Sequence, residues 1–392
     1  MLKIALIGKP NVGKSTLFSA LTFSQAEIAN YPFTTVKPNI GVGYVITKCP
    51  DIELGKKCNP REGRCNGGRR FVPVEIIDVP GLIPGASEGK GMGNEFLDYI
   101  REAEIIIHVF DTSGKISSEG EPISVDSDQW EDVISVEREM VLWLSSRIYR
   151  DWDKFSRKAD ASQERPEKIL HERLASYGIS EHQTTGLLSG LSLPRKFSHW
   201  KKEDAEKLVN EIFKKVKPIV RVGNRADLSS KERLQSFLKE DDKCFFVSGG
   251  YELLLEKASK IGLVEDEGST IKATGKGTQE QRSALDGIIN FFGYPIHSRI
   301  WDVLSHIVFS VMNYSVVFPV ADESSWTDSK GNVLPDAILI PPGTTSLDLA
   351  FRIHSDIGSG FIRAIDCRKK MAVRKDYVLD QGDVIKIVSK TT

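Results

Sequence analysis

At 392 residues the chain is too long for one ordinary hydrophobic core, so two or three domains are expected. Hydrophobic residues at 40% and charged residues at 27% fit a soluble globular protein, and no apolar run is long enough to span a bilayer. A formal net charge of -1 excludes a global field drawing the chain to nucleic acid or membrane, so any basic patch must be local.

The N-terminus, MLKIALIGKP, lacks the apolar core and cleavage site of a signal peptide and reads as cytoplasmic. Residues 3–7 form a short apolar run that breaks at Gly8, and a helical pattern follows from Ser15. Strand, glycine loop and helix open an α/β unit. Within it, Gly8 to Ser15 fit G-x-x-x-x-G-K-[ST], the pattern of a phosphate-binding loop. The glycines let backbone N–H groups turn onto phosphates, Lys14 reaches the β and γ phosphates, and the Ser15 hydroxyl ligates Mg²⁺.

The segment YPFTT carries Thr34 and Thr35, placed where a folding loop can complete the Mg²⁺ shell over a γ-phosphate. Residues 48–70 are basic and hold Cys49, Cys58 and Cys65. Those spacings are not the C-x2-C pair of a zinc site and no histidine lies nearby, so the reading is thiols of a surface insertion, with a redox sensor or metal site as the alternatives. Residues 72–78 alternate as a strand and end on Asp78-Val79-Pro80-Gly81. An Asp there holds Mg²⁺ through water, and the Gly81 N–H senses the γ-phosphate. The glycine-rich stretch that follows reads as a loop able to change shape.

Residues 104–111, 218–223 and 244–248 read as further strands of a mostly parallel sheet, with ligands at the strands' carboxyl ends. From 129 to 217 the period becomes helical, through Met140, Trp143, Leu144 and Ile148 and again through Ala205, Leu208, Val209 and Ile212. This is expected to be a coiled-coil-like helical insertion, pictured as a helical hairpin. After the strand at 218–223, Asn224-Arg225-Ala226-Asp227 places a carboxylate that can accept from guanine N1–H and the exocyclic amine, a donor pair adenine lacks. Ser248-Gly249-Gly250 can close over the base with backbone groups.

Residues 271–311 read as a linker and helical segment. From 312 strands return at 316–320, 337–340 and 383–389, around a helix capped by Thr345 or Ser346 and ending before Gly358. The expected division is therefore a nucleotide domain of 1–128 and 218–270, the insertion at 129–217, the linker segment, and a small α+β domain at 312–392.

Together these residues resemble the translation-factor-related GTPases of the Obg-like group. DVPGLIPGASEGKGMG at 78–93 is very similar to the Obg signature, and YPFTTVKPNIG at 31–41 to that group's first switch. The insertion and tail are similar to the YchF branch in an archaeal form, with a β-grasp TGS domain at the C-terminus. The resemblance implies that Asn11, Val12, Gly13, Lys14, Ser15 and Thr16 bind phosphates, that Ser15, Thr35 and Asp78 serve Mg²⁺, that Lys14, Thr35 and Gly81 serve hydrolysis, and that Asn224, Arg225, Asp227 and Ser248 surround the base. It implies a possible K⁺ beside Asn11, ribosome or rRNA as partner, and a monomer. Basic residues Lys56, Lys57, Arg61, Arg64, Arg69 and Arg70, with Arg363, Arg368, Lys369, Lys370, Arg374 and Lys375 in the tail, are the expected RNA contacts. Two departures stand out. Arg225 replaces the usual Lys of N-K-x-D, and Asp227 is kept where ATP-preferring relatives lack it. A metabolic kinase, an ATPase and a stoichiometric binding module stay open on the residues alone.

Overall fold

The computed structural model describes residues 1–22, 40–80, 99–115, 129–266 and 270–390. A seven-stranded sheet runs in the order β2 (Ile40–Lys48), β4 (Arg69–Asp78), β1 (Lys3–Ile7), β5 (Ile105–Asp111), β6 (Ile219–Asn224), β7 (Phe245–Phe246), and the short β3 (Arg64–Asn66) pairs with β4 outside this path. The pairs from β4 through β7 are parallel, and only β2 and β3 run antiparallel to β4.

Strand alternation sorts the core. In β1, Ile4 and Leu6 face one layer while Ala5 and Ile7 face the other, and β5 does the same with Ile105 and Ile107 against Ile106. This period of two lets each strand serve two helical layers. On the first face lie α1 (Lys14–Thr22) and the helices Gly249–Lys260 and Ile300–His306. The helical insertion covers the second.

That insertion is a compact bundle of five α-helices, Gln129–Ile148, Trp152–Ala161, Pro166–Leu174, Glu181–Ser189 and Lys202–Glu211, and not a coiled-coil-like hairpin. The breaks at Asp151, Arg165, Gly178 and Ser180 interrupt the pattern before any long pair can form. An aromatic group of Trp152, Phe155, Phe197 and Trp200 gives the bundle its own centre, with the Trp152 indole N–H donating to the Phe197 carbonyl at 2.9 Å.

The segment read as linker and helix carries the helices Gln279–Phe292 and Ile300–His306, and its linker part is itself paired. Ile271–Ala273 (β9) pairs with Val264–Asp266 (β8), too short a run to signal in sequence. Trp301 packs against Tyr44 of β2 with centroids 6.3 Å apart, and Ser305 Oγ accepts from the Ile46 amide at 2.9 Å. A buried ion cluster anchors this helix. Arg299, 4% exposed, bonds Glu252 through Nε at 3.0 Å and Asp266 through Nη2 at 2.8 Å. Removing the guanidinium would leave two buried carboxylates without their cation, so Arg299→Met is expected to lower stability by about 3–5 kcal/mol. Chemical denaturation of the two chains checks this.

The C-terminal sheet runs β11 (Ile338–Ile340), β10 (Ser315–Val320), β14 (Val384–Ser389), β12 (Phe361–Asp366), β13 (Met371–Val373), with β10 and β14 parallel. The helix Ser346–Ile353 lies over it, burying Leu349 against Val317, Ala364 and Ile385. Thr345 caps that helix in a reciprocal box with Asp348. Gly358 does not end it. The helix stops at Ile353, and Gly358 sits in a second short turn where a Cβ would strike the Phe351 ring at 2.3 Å.

Candidate nucleotide site

The carboxyl ends of β1, β4 and β6 lie at one edge, where the loops after β1 and β6 and the last residue of β4, Asp78, come together. After Ile7 the chain turns through Gly8 at φ +147°, where a Cβ would lie 2.2 Å from the Val109 carbonyl oxygen. Asn11 is left-handed at φ +62° and Gly13 at φ +90°. Left-handed steps at these points are what curl successive amides inward. Val12 is buried against the core, whereas Ser15 and Thr16 are exposed in the first turn of α1.

Lys14 is folded back over the loop, its Nζ donating to the Gly8 and Lys9 carbonyls at 3.2 Å each. Burial lowers its pKa, and the nearby Asp78 charge opposes that shift. Ser15 Oγ donates to Asp78 Oδ2 at 3.0 Å, while Asp78 Oδ1 is buried without a hydrogen-bond partner. Burial raises the Asp78 pKa, against the Ser15 hydrogen bond and the Lys14 charge. A hydroxyl and a carboxylate with an unsatisfied buried oxygen fit a hard divalent cation, and Mg²⁺ takes such oxygen ligands together with substrate phosphates.

The base-side residues do more than the sequence indicated. Asn224, 2% exposed, donates from Nδ2 to the Val12 carbonyl at 3.0 Å and accepts at Oδ1 from the Gly249 amide at 2.9 Å. It therefore ties the phosphate loop to the turn after β7. A Cβ on Gly13 would meet Asn224 Nδ2 at 2.3 Å, so that glycine is required by the tie as well as by its φ. Arg225, at φ +61°, donates to the Asn11 carbonyl at 2.8 Å and lies 3.7 Å from buried Asp111. The guanidinium is thus a strut across the loop. Asp227 sits half-buried in the turn Ala226–Leu228, in electrostatic contact with His297. The buried Ser248 hydroxyl caps the helix Gly249–Lys260 by accepting from the Tyr251 amide at 3.2 Å.

Thr34, Thr35 and Gly81 lie outside the described residues. One contact had no signal in the sequence: Lys9 of the phosphate loop, 5% exposed, pairs with Asp132 of the insertion at 2.5 Å. Only the fold brings those two residues together.

Within the expected RNA-binding patch only Arg70 is buried and Arg69 half-buried, while several of the exposed members are engaged in contacts within the chain. Arg61 pairs with Asp328 and Asp336, Arg64 lies over the Phe71 ring, and Arg70 is 1% exposed with bonds to the Leu334 and Pro335 carbonyls. In the tail, Arg368 pairs with Glu53, Lys369 with Asp366 and Arg374 with Asp376. Lys56, Lys57, Arg363, Lys370 and Lys375 are exposed, as are Arg61, Arg64, Arg368, Lys369 and Arg374 despite their partners.

Comparison with known proteins places this geometry. A model of the 50S ribosome-binding GTPases matches residues 3–144, one of the YGR210-like Obg-like GTPases' G4 motif-containing domain matches 222–322, and a TGS domain model matches 330–389. The chain is 40% identical over 395 residues to an uncharacterized GTP-binding protein of Methanocaldococcus jannaschii, with 99% of each covered. It belongs to the Obg-like GTPase family, on its YchF side. A crystal structure of a GTP binding protein from Pyrococcus horikoshii OT3 superposes with a TM-score of 0.81 at 32% identity, covering 99% of this chain and 100% of that one. The ribosome-binding ATPase YchF of Bacillus subtilis is 28% identical over 427 residues, with 98% of each chain covered. As an Obg-like GTPase, the chain carries the P-loop domain with a helical insertion and a C-terminal TGS domain.

Proposed function

We propose that this GTP-binding protein hydrolyses GTP to GDP and phosphate and uses the two nucleotide states as a switch. The observation that carries the reading is the bonded convergence of the phosphate loop, Asp78 and Asn224, which sets Asp227 at one end of the site and Lys14 at the other. Lys14 exchanges two carbonyl partners for phosphate oxygens. Ser15 and Asp78 hold Mg²⁺, which when bound neutralises charge on the phosphates, and Thr35 completes that set. The Gly81 N–H reads the γ-phosphate. Asp227 selects guanine, because its carboxylate accepts two donors that adenine does not offer.

Phosphate release from GTP without an added acceptor tests hydrolysis and separates it from kinase chemistry. The rate is expected to fall when K⁺ is replaced by Na⁺ at matched ionic strength, with Asn11 as the residue beside the cation. Equal rates would remove K⁺ from the account.

The ribosome is the proposed partner, and the cytoplasm the proposed location. Support comes from the naming of the Bacillus subtilis relative as ribosome-binding and from the exposed Lys56, Lys57, Arg363, Lys370 and Lys375. Among the described residues no helix is long and apolar enough to cross a membrane. We propose a monomer as the working unit. ATP is the second reading, favoured by the ATPase names of the YchF relatives and opposed by Asp227.

A further inference from the structure

The cysteines of the segment after β2 are not surface thiols. Cys49 is 3% exposed and Cys58 4% exposed, and both belong to the same core as β2, β4 and the helix Ile300–His306. The chain doubles back to bring them together. It leaves β2 at Lys48, makes the short α2 (Asp51–Leu54), reverses at left-handed Gly55, and returns through the β3–β4 hairpin closed by Gly67 and Gly68 at φ +54° and +75°. The Cys49 amide fastens this fold by donating to the Gly68 carbonyl at 2.7 Å.

We propose that Cys49, Asp51, Cys58 and Cys65 form a structural zinc site. The three thiol sulfurs and one carboxylate oxygen all lie within 4.8 Å of one another. Cys49 Sγ is 3.7 Å from Cys58 Sγ, and Cys65 Sγ is 3.6 Å from Asp51 Oδ2. A tetrahedral zinc, with bonds of about 2.3 Å to sulfur and about 2.1 Å to oxygen, sets neighbouring sulfurs about 3.8 Å apart and sulfur to oxygen about 3.6 Å apart. Two edges of that tetrahedron are thus already at length, and the remaining pairs lie within 4.8 Å. Asp51 is 7% exposed and its Oδ1 is buried without a hydrogen-bond partner, so the carboxylate is held in the cluster with its hydrogen bonding unsatisfied, as a cation-binding carboxylate would be. A disulfide uses two of the three sulfurs and leaves the third beside it, whereas one metal ion uses all of them together with the carboxylate.

Charge also fits. Three thiolates and a carboxylate around Zn²⁺ carry a net negative charge, and the buried Arg70 guanidinium lies 3.7 Å from Cys58 Sγ. With four protein ligands the shell is closed, as in sites that hold a fold and unlike those that keep a position open for water.

The site's place indicates what it holds. The same segment meets the C-terminal domain through the Asn59 amide to the Val333 carbonyl at 2.8 Å, the Arg61 amide to the Pro335 carbonyl at 2.9 Å, and Glu53 to Arg368. Its own regular structure is a four-residue helix and a three-residue strand, too little to order it by burial alone. The metal therefore braces the joint between the nucleotide domain and the TGS domain.

The test is metal analysis of the full chain, purified without metal-affinity resin and kept reduced. One zinc per chain is expected, and replacement by Co²⁺ should give the intense visible absorption of a tetrahedral thiolate-rich site. Asp51→Asn keeps all three thiols and should weaken zinc binding at least tenfold. Cys58→Ser should take the stoichiometry well below one. If that variant does not fold, the wild-type zinc count and Asp51→Asn still decide. A folded chain that takes up no stoichiometric metal after zinc reconstitution, or a Cys49–Cys58 disulfide in the mass spectrum of the native protein, would overturn the proposal. Neither readout depends on nucleotide.

Discussion

Asn224→Ala is expected to weaken GTP binding on the order of 100-fold, about 2.7 kcal/mol, more than removal of any single contact to the base. The side chain is 2% exposed and makes bonds in two directions, to the Val12 and Gly13 carbonyls at 3.0 and 3.4 Å and from the Gly249 amide at 2.9 Å. Alanine orphans the buried Gly249 donor and releases the phosphate loop from the base-side turn. Each unsatisfied buried group costs about 1–3 kcal/mol. Asn224→Asp provides the control. It keeps an acceptor for Gly249 but turns the donor to Val12 and Gly13 into a second acceptor, so it should bind GTP no better than the alanine variant. Titration calorimetry with GTP and GDP reads both. Wild-type affinity in Asn224→Ala would show that the tie is not what shapes the site.

Lys14→Met should reduce the single-turnover hydrolysis rate by about 100- to 1,000-fold, the size of effect seen when one preorganised positive or donor group is taken from a developing anion. The same change should not destabilise the nucleotide-free chain. Lys14 is 8% exposed, and its partners there are two carbonyls at 3.2 Å. Burial lowers its pKa below the ordinary lysine value, with the Asp78 charge opposing, so the ammonium is held at a desolvation cost in the folded state. A methionine of similar length removes that cost. Thermal melts without nucleotide should therefore place the variant at or above wild type, while GTP raises only the wild-type melting temperature. A variant that melts well below wild type would mean that the lysine is chiefly structural.

How much was legible follows from which signals are local. The phosphate loop could be read because its glycines, lysine and serine are consecutive and lie between a strand and a helix. The strands ending at Asp78, Asp111 and Asn224 were visible through apolar runs that stop at polar residues. β2 carries Gly41 and Gly43, which blur its alternation, although those glycines let it pass close to Thr22 and Ile76. The strand read over 244–248 shortens to Phe245–Phe246 because Ser248 is taken as a helix cap.

The charge pattern did not reveal which of its basic residues are engaged within the chain. Arg61 and Arg70 find their acceptors at Asp328, Asp336, Leu334 and Pro335, more than 250 positions away, so nothing nearby in sequence marks them as occupied. The cysteine group read first as surface thiols, with a metal site only as an alternative, because familiar spacing templates assume paired cysteines or histidines. Here the ligand set includes an aspartate two residues after the first cysteine and closes only when the β3–β4 hairpin folds back.

Competition binding of GTP, GDP, ATP and ADP to the purified chain tests guanine recognition most directly. The carboxylate of Asp227 facing adenine meets the N1 lone pair in place of a donor, a mismatch costing about 1–3 kcal/mol. GTP and GDP are therefore predicted to bind at least about tenfold tighter than ATP and ADP, and Asp227→Asn should narrow that gap while leaving phosphate contacts in place. Tighter binding of ATP than of GTP by the wild-type chain would contradict the account.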